Sequence, residues 1–158
     1  MFREMRRMKQ QVSREDCVKV LKDARRAVLA VNGDDGYPYA MTMDFVYDEE
    51  RDRIYLHGAL AGYRYDCLQR SDKVCFTVCG DDYKNEGDWF FQLDSVIVYG
   101  RCIQVADREL KLKEATALGQ KYFPTADILE DELQRNFDRM TVYEITIEHM
   151  TGKHIREK

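Results

Sequence analysis

Hydrophobic positions change period several times along the chain, and each change marks an element. Cys17, Val20, Leu21 and Ala24 recur at helical spacing behind the capping pair Ser13 and Asp16, which predicts a helix over Arg14–Arg25. Ala27–Val31 is a short apolar run, stopped by Asn32-Gly33-Asp34-Asp35-Gly36, whose residues tolerate the positive φ of a hairpin turn. Tyr37–Tyr47 reads as a second strand, with Met41, Met43, Phe45 and Tyr47 on one face. The polar turn Asp48–Asp52 leads into a third, Arg53–His57. Tyr63, Asp66, Cys67 and Arg70 then take helical spacing, which predicts a short helix opening near Leu60.

Lys73–Cys79 returns to strand, Gly80–Asp88 is polar loop, and Asp94–Val105 is a long strand broken by Gly100. Asp107 caps a helix over Arg108–Phe123, with Leu110, Leu112, Ala115 and Leu118 inward and Pro124 ending it. A further helix covers Ala126–Phe137, and Thr141–Glu148 alternates as a final strand. Short loops favour an antiparallel arrangement. The fold class expected is mainly β with helices: a six-stranded antiparallel barrel with Greek-key-like connections. The order is not the βαβα alternation of a dinucleotide-binding domain, and no GxGxxG is present.

With 158 residues the chain is expected to form one domain, 1–158, with an N-terminal arm at 1–12 and a C-terminal tail at 149–158. A net charge of −4 argues against nucleic acid as the main partner. The basic stretch Arg3–Lys9 reads as a solvated arm or a strap across a partner subunit. No run approaches the roughly eighteen apolar residues of a membrane span, and no apolar segment follows that basic stretch. A cytoplasmic location is expected. The five cysteines (17, 67, 75, 79 and 102) form no CxxC pair and have no His at ligand spacing, so they read as small buried hydrophobes and no metal is expected.

Leu56–Leu68 carries the chemistry. A strand ends, small residues follow, and a short helix opens with Arg64 in its first turns. Unpaired helix-start amides, close backbone approach and a guanidinium suit a phosphate. Alone, the segment reads first as a plain helix start with a surface Arg, ahead of a phosphate site. No nucleophile–base pair or triad can be assembled.

Set in order, Gly36-Tyr37-Pro38-Tyr39 with Ala40–Tyr47, Ile54–Ala59, Gly62-Tyr63-Arg64 with Leu68, Lys73–Phe76 and Ser95–Arg101 resemble the FMN-binding split barrels related to pyridoxamine 5′-phosphate oxidase. The pattern is most similar to their nitroimidazole-resistance branch. The resemblance covers about Val12–Glu148. It implies FMN as cofactor, held at the interface of a homodimer. Met41, Thr42, Met43 and Asp44 would line the isoalloxazine. His57 and Gly58 would meet the ribityl-phosphate with Ala59 beside them. Arg64 would take the place of the family's phosphate-binding Lys or Arg, and Ser95 would reach the flavin from the long strand. Trp89 and Phe91 would lend apolar cover from the second chain.

Tyr63 stands where the true oxidases carry Arg, and Glu148–Lys158 lacks their Arg-rich, Trp-containing end. An authentic pyridoxamine-phosphate oxidase is therefore not expected. The activity implied is electron transfer from reduced nicotinamide or another donor to a small acceptor, with a nitroaromatic such as a 5-nitroimidazole leading. A non-catalytic flavin-binding or redox-sensing protein, or a related barrel holding haem or F420, is the alternative. His57 is the one catalytic candidate, against the plainer role of a hydrogen-bonded structural His. His149 and His154, near the terminus, are assigned no role.

Overall fold

The computed structural model describes residues 2–156. Seven antiparallel strands form one sheet: β1 (Ala27–Asn32), β2 (Pro38–Met43), β3 (Val46–Asp48), β4 (Arg53–Ala59), β5 (Lys73–Cys79), β6 (Leu93–Gln104) and β7 (Met140–Ile155). Their order across it is β2-β1-β5-β6-β7-β4-β3. Helix α1 (Arg14–Asp23) precedes β1, α2 (Tyr63–Arg70) joins β4 to β5, and α3 (Arg108–Tyr122) and α4 (Ala126–Asn136) join β6 to β7.

The count is seven strands rather than six because the stretch 37–47 breaks at Asp44-Phe45. The two halves go to opposite edges of the sheet. Three Cα steps separate Met43 from Val46, at most about 11 Å. Seven flat strands would hold their edges about 29 Å apart. The sheet must therefore curl until its edges nearly meet, with no ladder across the gap. Phe45 lies in that seam, and its backbone is served by Tyr122 at the end of α3. The Tyr122 hydroxyl accepts from Phe45 N at 3.0 Å and stands 2.7 Å from Arg25 O and 3.0 Å from Phe45 O, donating its single proton to one of them.

Alternation fills the curled sheet from all sides: Leu29, Phe45, Ile54, Leu56, Phe76, Val78, Val96, Val98 and Ile145 are fully buried. Phe45 meets Phe76 edge-on at 5.3 Å between centroids. Helix α1, closed by the Ser13–Asp16 capping box, adds Cys17, Val20 and Leu21 at one end.

Several expectations change. Gly100 does not break β6; pairing with β7 only shifts register between Tyr99 and Gly100. The expected tail is strand as far as Ile155, because β6 is long enough to pair with all of it. His154 is accordingly half-buried against Asp94 (2.8 Å) and Gln92 (3.2 Å). The N-terminal arm lies on its own sheet: Val12 N donates to Gly152 O, and Phe2 stacks on His149 at 4.7 Å. Of the cysteines, Cys17, Cys67 and Cys102 are buried, but Cys75 and Cys79 face outward. No helix among the described residues is long and apolar enough to cross a membrane.

The inward face of α3 is Glu114, Ala115, Leu118 and Gly119, while Leu112 is exposed. The sequence pattern misleads there because a carboxyl is buried. Glu114 sits beside Lys113 Nζ (3.4 Å), which also bonds Asp48 at 2.9 Å. Burial, then the Asp48 charge, pushes the Glu114 acid above its usual range.

Two consequences can be measured. Tyr122→Phe leaves the Phe45 amide without its partner and should lose about 1–3 kcal/mol in urea denaturation; unchanged stability would show that the hydroxyl does not hold the seam. The raised Glu114 acid means that the native state keeps a proton which the unfolded chain releases, so stability falls as pH rises from the ordinary carboxyl range through the native value. Glu114→Gln should match wild type at pH 4 and exceed it at pH 8. Parallel stability–pH curves would refute the assignment.

Candidate functional site

Helix α2 begins at Gly62, whose φ of 107° is open to glycine and costly for other residues. No side chain caps the helix, and its first intrahelical bond is Asp66 N to Gly62 O. The amides of Tyr63, Arg64 and Tyr65 therefore point out of the helix start without helical partners. They carry the partial positive charge of the helix end.

Arg64, in the first turn, is half-buried. Its guanidinium donates to Met43 Sδ at 3.0 Å and to His57 O at 3.4 Å, and its Cζ lies 5.9 Å from the centre of the Tyr143 ring. None of these contacts is a carboxylate, so the charge lacks a counter-ion among the described residues. Gly58 makes the arrangement possible: a Cβ there would overlap Arg64 Nη2 and press on Tyr143. A half-buried cation with no counter-charge, next to free amides, has the chemistry that suits an anion.

A cleft of about 550 Å³ opens here. Thr42, Met43, Asp44, His57, Gly58, Ala59 and Arg64 all line it, so β2, the seam, β4 and α2 bring seven of the nine expected residues together. Met41 does not line it; it is half-buried on β2 against the barrel core. Ser95 lies in a different groove, with His149, Thr151 and Lys153. Trp89 (78% exposed) and Phe91 (58%) stand clear of the cleft in this chain.

Three residues absent from the sequence-level set complete the cleft: Asn136, Arg139 and Met140. The pairing of Ala59 with Met140 delivers them from across the sheet. Only strand register could have revealed this, since nothing in the local pattern of 136–140 marks a site. Arg139 adds a second cation.

His57, exposed on the cleft wall, shares it with Asp44, Arg64 and Arg139. Desolvation by the surrounding protein pushes its pKa below the usual range; the Asp44 charge pulls it up and the Arg64 charge lowers it further. In its uncharged form, which the lowered pKa favours, the imidazole can both donate and accept a hydrogen bond. Among the described residues no cluster of three or more His, Cys, Asp or Glu could hold a metal ion.

Residues 13–154 match the sequence pattern of the pyridoxamine 5′-phosphate oxidase family. The chain belongs to that family. No curated protein matches it significantly. Solved structures with the family fold include a candidate 5-nitroimidazole antibiotic resistance protein from Bacteroides thetaiotaomicron, 20% identical, with a TM-score of 0.74 over 91% of this chain and 86% of that one. A conserved hypothetical protein from Mycobacterium tuberculosis is 17% identical (TM-score 0.76, 95% and 90% covered). An FAD- and haem-binding protein from Mycobacterium smegmatis is 19% identical (0.73, 94% and 74%). At these identities the likeness establishes the fold, which in this family member places the uncapped start of α2 beside the end of β4.

The contact between positions 58 and 64 is testable without any ligand. Gly58→Ala should destabilise the fold by about 1–3 kcal/mol as the new methyl meets the guanidinium. Adding Arg64→Ala should recover most of that loss. If the double variant, followed by urea denaturation, stays as unstable as Gly58→Ala alone, the crowding lies with Tyr143 instead.

Proposed function

We propose that this chain is a cytoplasmic flavoprotein that binds FMN in the cleft between β2, β4 and α2. In this reading it works as an oxidoreductase, taking electrons from reduced nicotinamide or another donor and passing them to a small acceptor such as a nitroaromatic. The observation that carries the proposal is Arg64: a half-buried guanidinium without a carboxylate, seated by Gly58 beside the free amides of α2. That cradle fits a phosphate monoester. Family membership and the flavin named for the Mycobacterium smegmatis neighbour support a flavin as its bearer.

Bound FMN supplies hydride and one-electron chemistry that no side chain offers. The protein's own part is positional and electrostatic. Arg64, with Arg139 nearby, would neutralise the phosphate, while Gly62 keeps the approach to the amides open. Thr42, Met43 and Asp44 would form the wall for the ring. Neutral His57 would hold a hydrogen bond at the rim, and a proton-donor role for it is part of the proposal.

The same reading takes the working unit to be a homodimer. Two rows of outward side chains cross five strands without a Lys, Arg, Asp or Glu: Thr42, Val28, Thr77, Ile97 and Thr151, then Ala40, Ala30, Cys75, Tyr99 and His149. Val28, Ile97 and Tyr99 are exposed there. The chain's own arm covers this face only around Tyr99 and His149, where Phe2 stacks, and the remaining uncharged part favours a second copy as its cover. Because Thr42 ends the first row and also lines the cleft, that copy would border the cofactor. Ser95, Trp89 and Phe91 would then serve the second copy's site.

Purified protein should absorb near 450 nm and release FMN on heating. FAD would keep the site but change the cofactor, and a haem Soret band would overturn the assignment. Arg64→Ala should weaken FMN binding by about 1.5–3 kcal/mol, roughly ten- to a hundredfold in Kd. Equal affinity would mean that the phosphate sits elsewhere. Enzyme and passive binder separate on anaerobic reduction with NADH or NADPH followed by a 5-nitroimidazole; reoxidation no faster than in buffer would remove the reductase claim.

A further inference from the structure

Behind the cleft, the space between α3, α4 and the seam holds a second, more enclosed cavity of about 440 Å³. It shares Asp44, His57, Asn136 and Met140 with the cleft, so the two adjoin. Its interior is apolar: Ala115 and Leu118 from α3, Leu129 and Leu133 from α4, and Phe123 between the helices. The size and lining are those of a small-molecule site, and the helices close around it by packing Leu129 against Gly119.

The polar groups fall at the rim. Arg64 and Arg139 line the cleft alone. Asp44, paired with Arg26 at 2.7 Å, and His57 line both spaces and mark their junction. Glu132 lines the inner cavity alone, accepts from Asn136 Nδ2 at 2.7 Å and has no cationic partner among the described residues. Arg25, Arg26 and Lys121 gather around the Tyr122 ring, and none of the three lines the cavity. A molecule lying across both spaces would meet the two arginines at one end, Asp44 and His57 at the junction, and the unpaired Glu132 carboxylate at the other. That arrangement favours an anion beside Arg64 over one in the inner cavity.

We propose that the inner cavity is a second binding site, which takes the apolar, aromatic body of a small molecule that is uncharged or cationic and turns its polar end toward His57 and Glu132. Its role as the acceptor's seat rests on the flavin reading of the adjoining cleft; its preference for ligand charge does not. Asp44 and Glu132 set that preference, and Leu118, Leu129 and Leu133 supply the burial.

Three probes of one shape and different charge test this: benzylamine, benzyl alcohol and benzoate. Each is titrated into the full chain, with and without added FMN, and followed through the methyl resonances of Leu118 and Leu129. Benzylamine and benzyl alcohol should bind, with benzoate weaker than benzylamine by at least about tenfold. Leu133→Trp should fill the cavity and weaken benzylamine and benzyl alcohol to a similar degree while FMN affinity stays as in wild type. Glu132→Lys, on a half-exposed helix position, should narrow or invert the preference between benzylamine and benzoate even if Leu133→Trp folds poorly. Equal binding of all three probes, or a charge preference indifferent to Glu132→Lys, would overturn the proposal. So would loss of FMN in folded Leu133→Trp, since the cavity would then belong to the cofactor. If FMN itself fails to bind while the probes behave as described, the flavin reading falls and the cavity remains a site.

Discussion

The structure depends on one constraint of chain length. Met43 and Val46 are three residues apart and belong to strands at opposite edges of a seven-stranded sheet. Such a sheet can satisfy that link only by rolling up, and the roll is what buries Phe45, Leu56 and Phe76 against one another. The seam it leaves cannot be closed by a ladder, so the unpaired backbone at Phe45 needs a partner from elsewhere. Tyr122 provides it with a single hydroxyl. Helix α3 is thereby tied to the seam, and α4 follows because the two helices pack together.

The candidate site lies next to this seam for the same reason. β2 is an edge strand, paired with β1 through Met43 on one side only, so Thr42, Met43 and Asp44 border a gap instead of a second neighbouring strand. The end of β4 and the start of α2 border that gap with a glycine, free amides and a guanidinium. On its far side the helical pair forms an apolar wall. The result is a cleft lined by both signs of charge, Arg64 and Arg139 beside Asp44, with Glu132 in the adjoining space against α4 and His57 at the junction of the two.

Buried polar groups mark the places where packing overrode simple pattern. Glu114 occupies an inward position of α3 that an apolar side chain would normally take, and Lys113 and Asp48 keep it there at the cost of a perturbed acid. The inward expectation for Leu112 follows from hydrophobicity alone, and the structure instead exposes Leu112 and buries Glu114. That expectation could not survive a helix whose register is set by Tyr122 at its far end. His154 makes the complementary case: it looks like tail in the sequence and is half-buried because β6 continues beneath it.

Most elements, and the gathering of small residues around Arg64, were legible in the residues themselves. Alternation, capping pairs and turn residues act over a few positions, so the strand 73–79, the core 53–57 of β4, the capping box at Ser13 and the stop at Pro124 are local facts. Gly58, Gly62 and Arg64 lie within seven residues, and their joint meaning is largely local too. Tertiary structure alone decided that the strand through Asp44 splits in two, and that Asn136, Arg139 and Met140 reach the cleft. It likewise set Ser95 apart from that cleft in the single chain. These outcomes rest on which strands pair and in what register, and on how far the sheet must curl to join its edges. Those are properties of contacts between residues tens of positions apart, and no window of the sequence contains both partners.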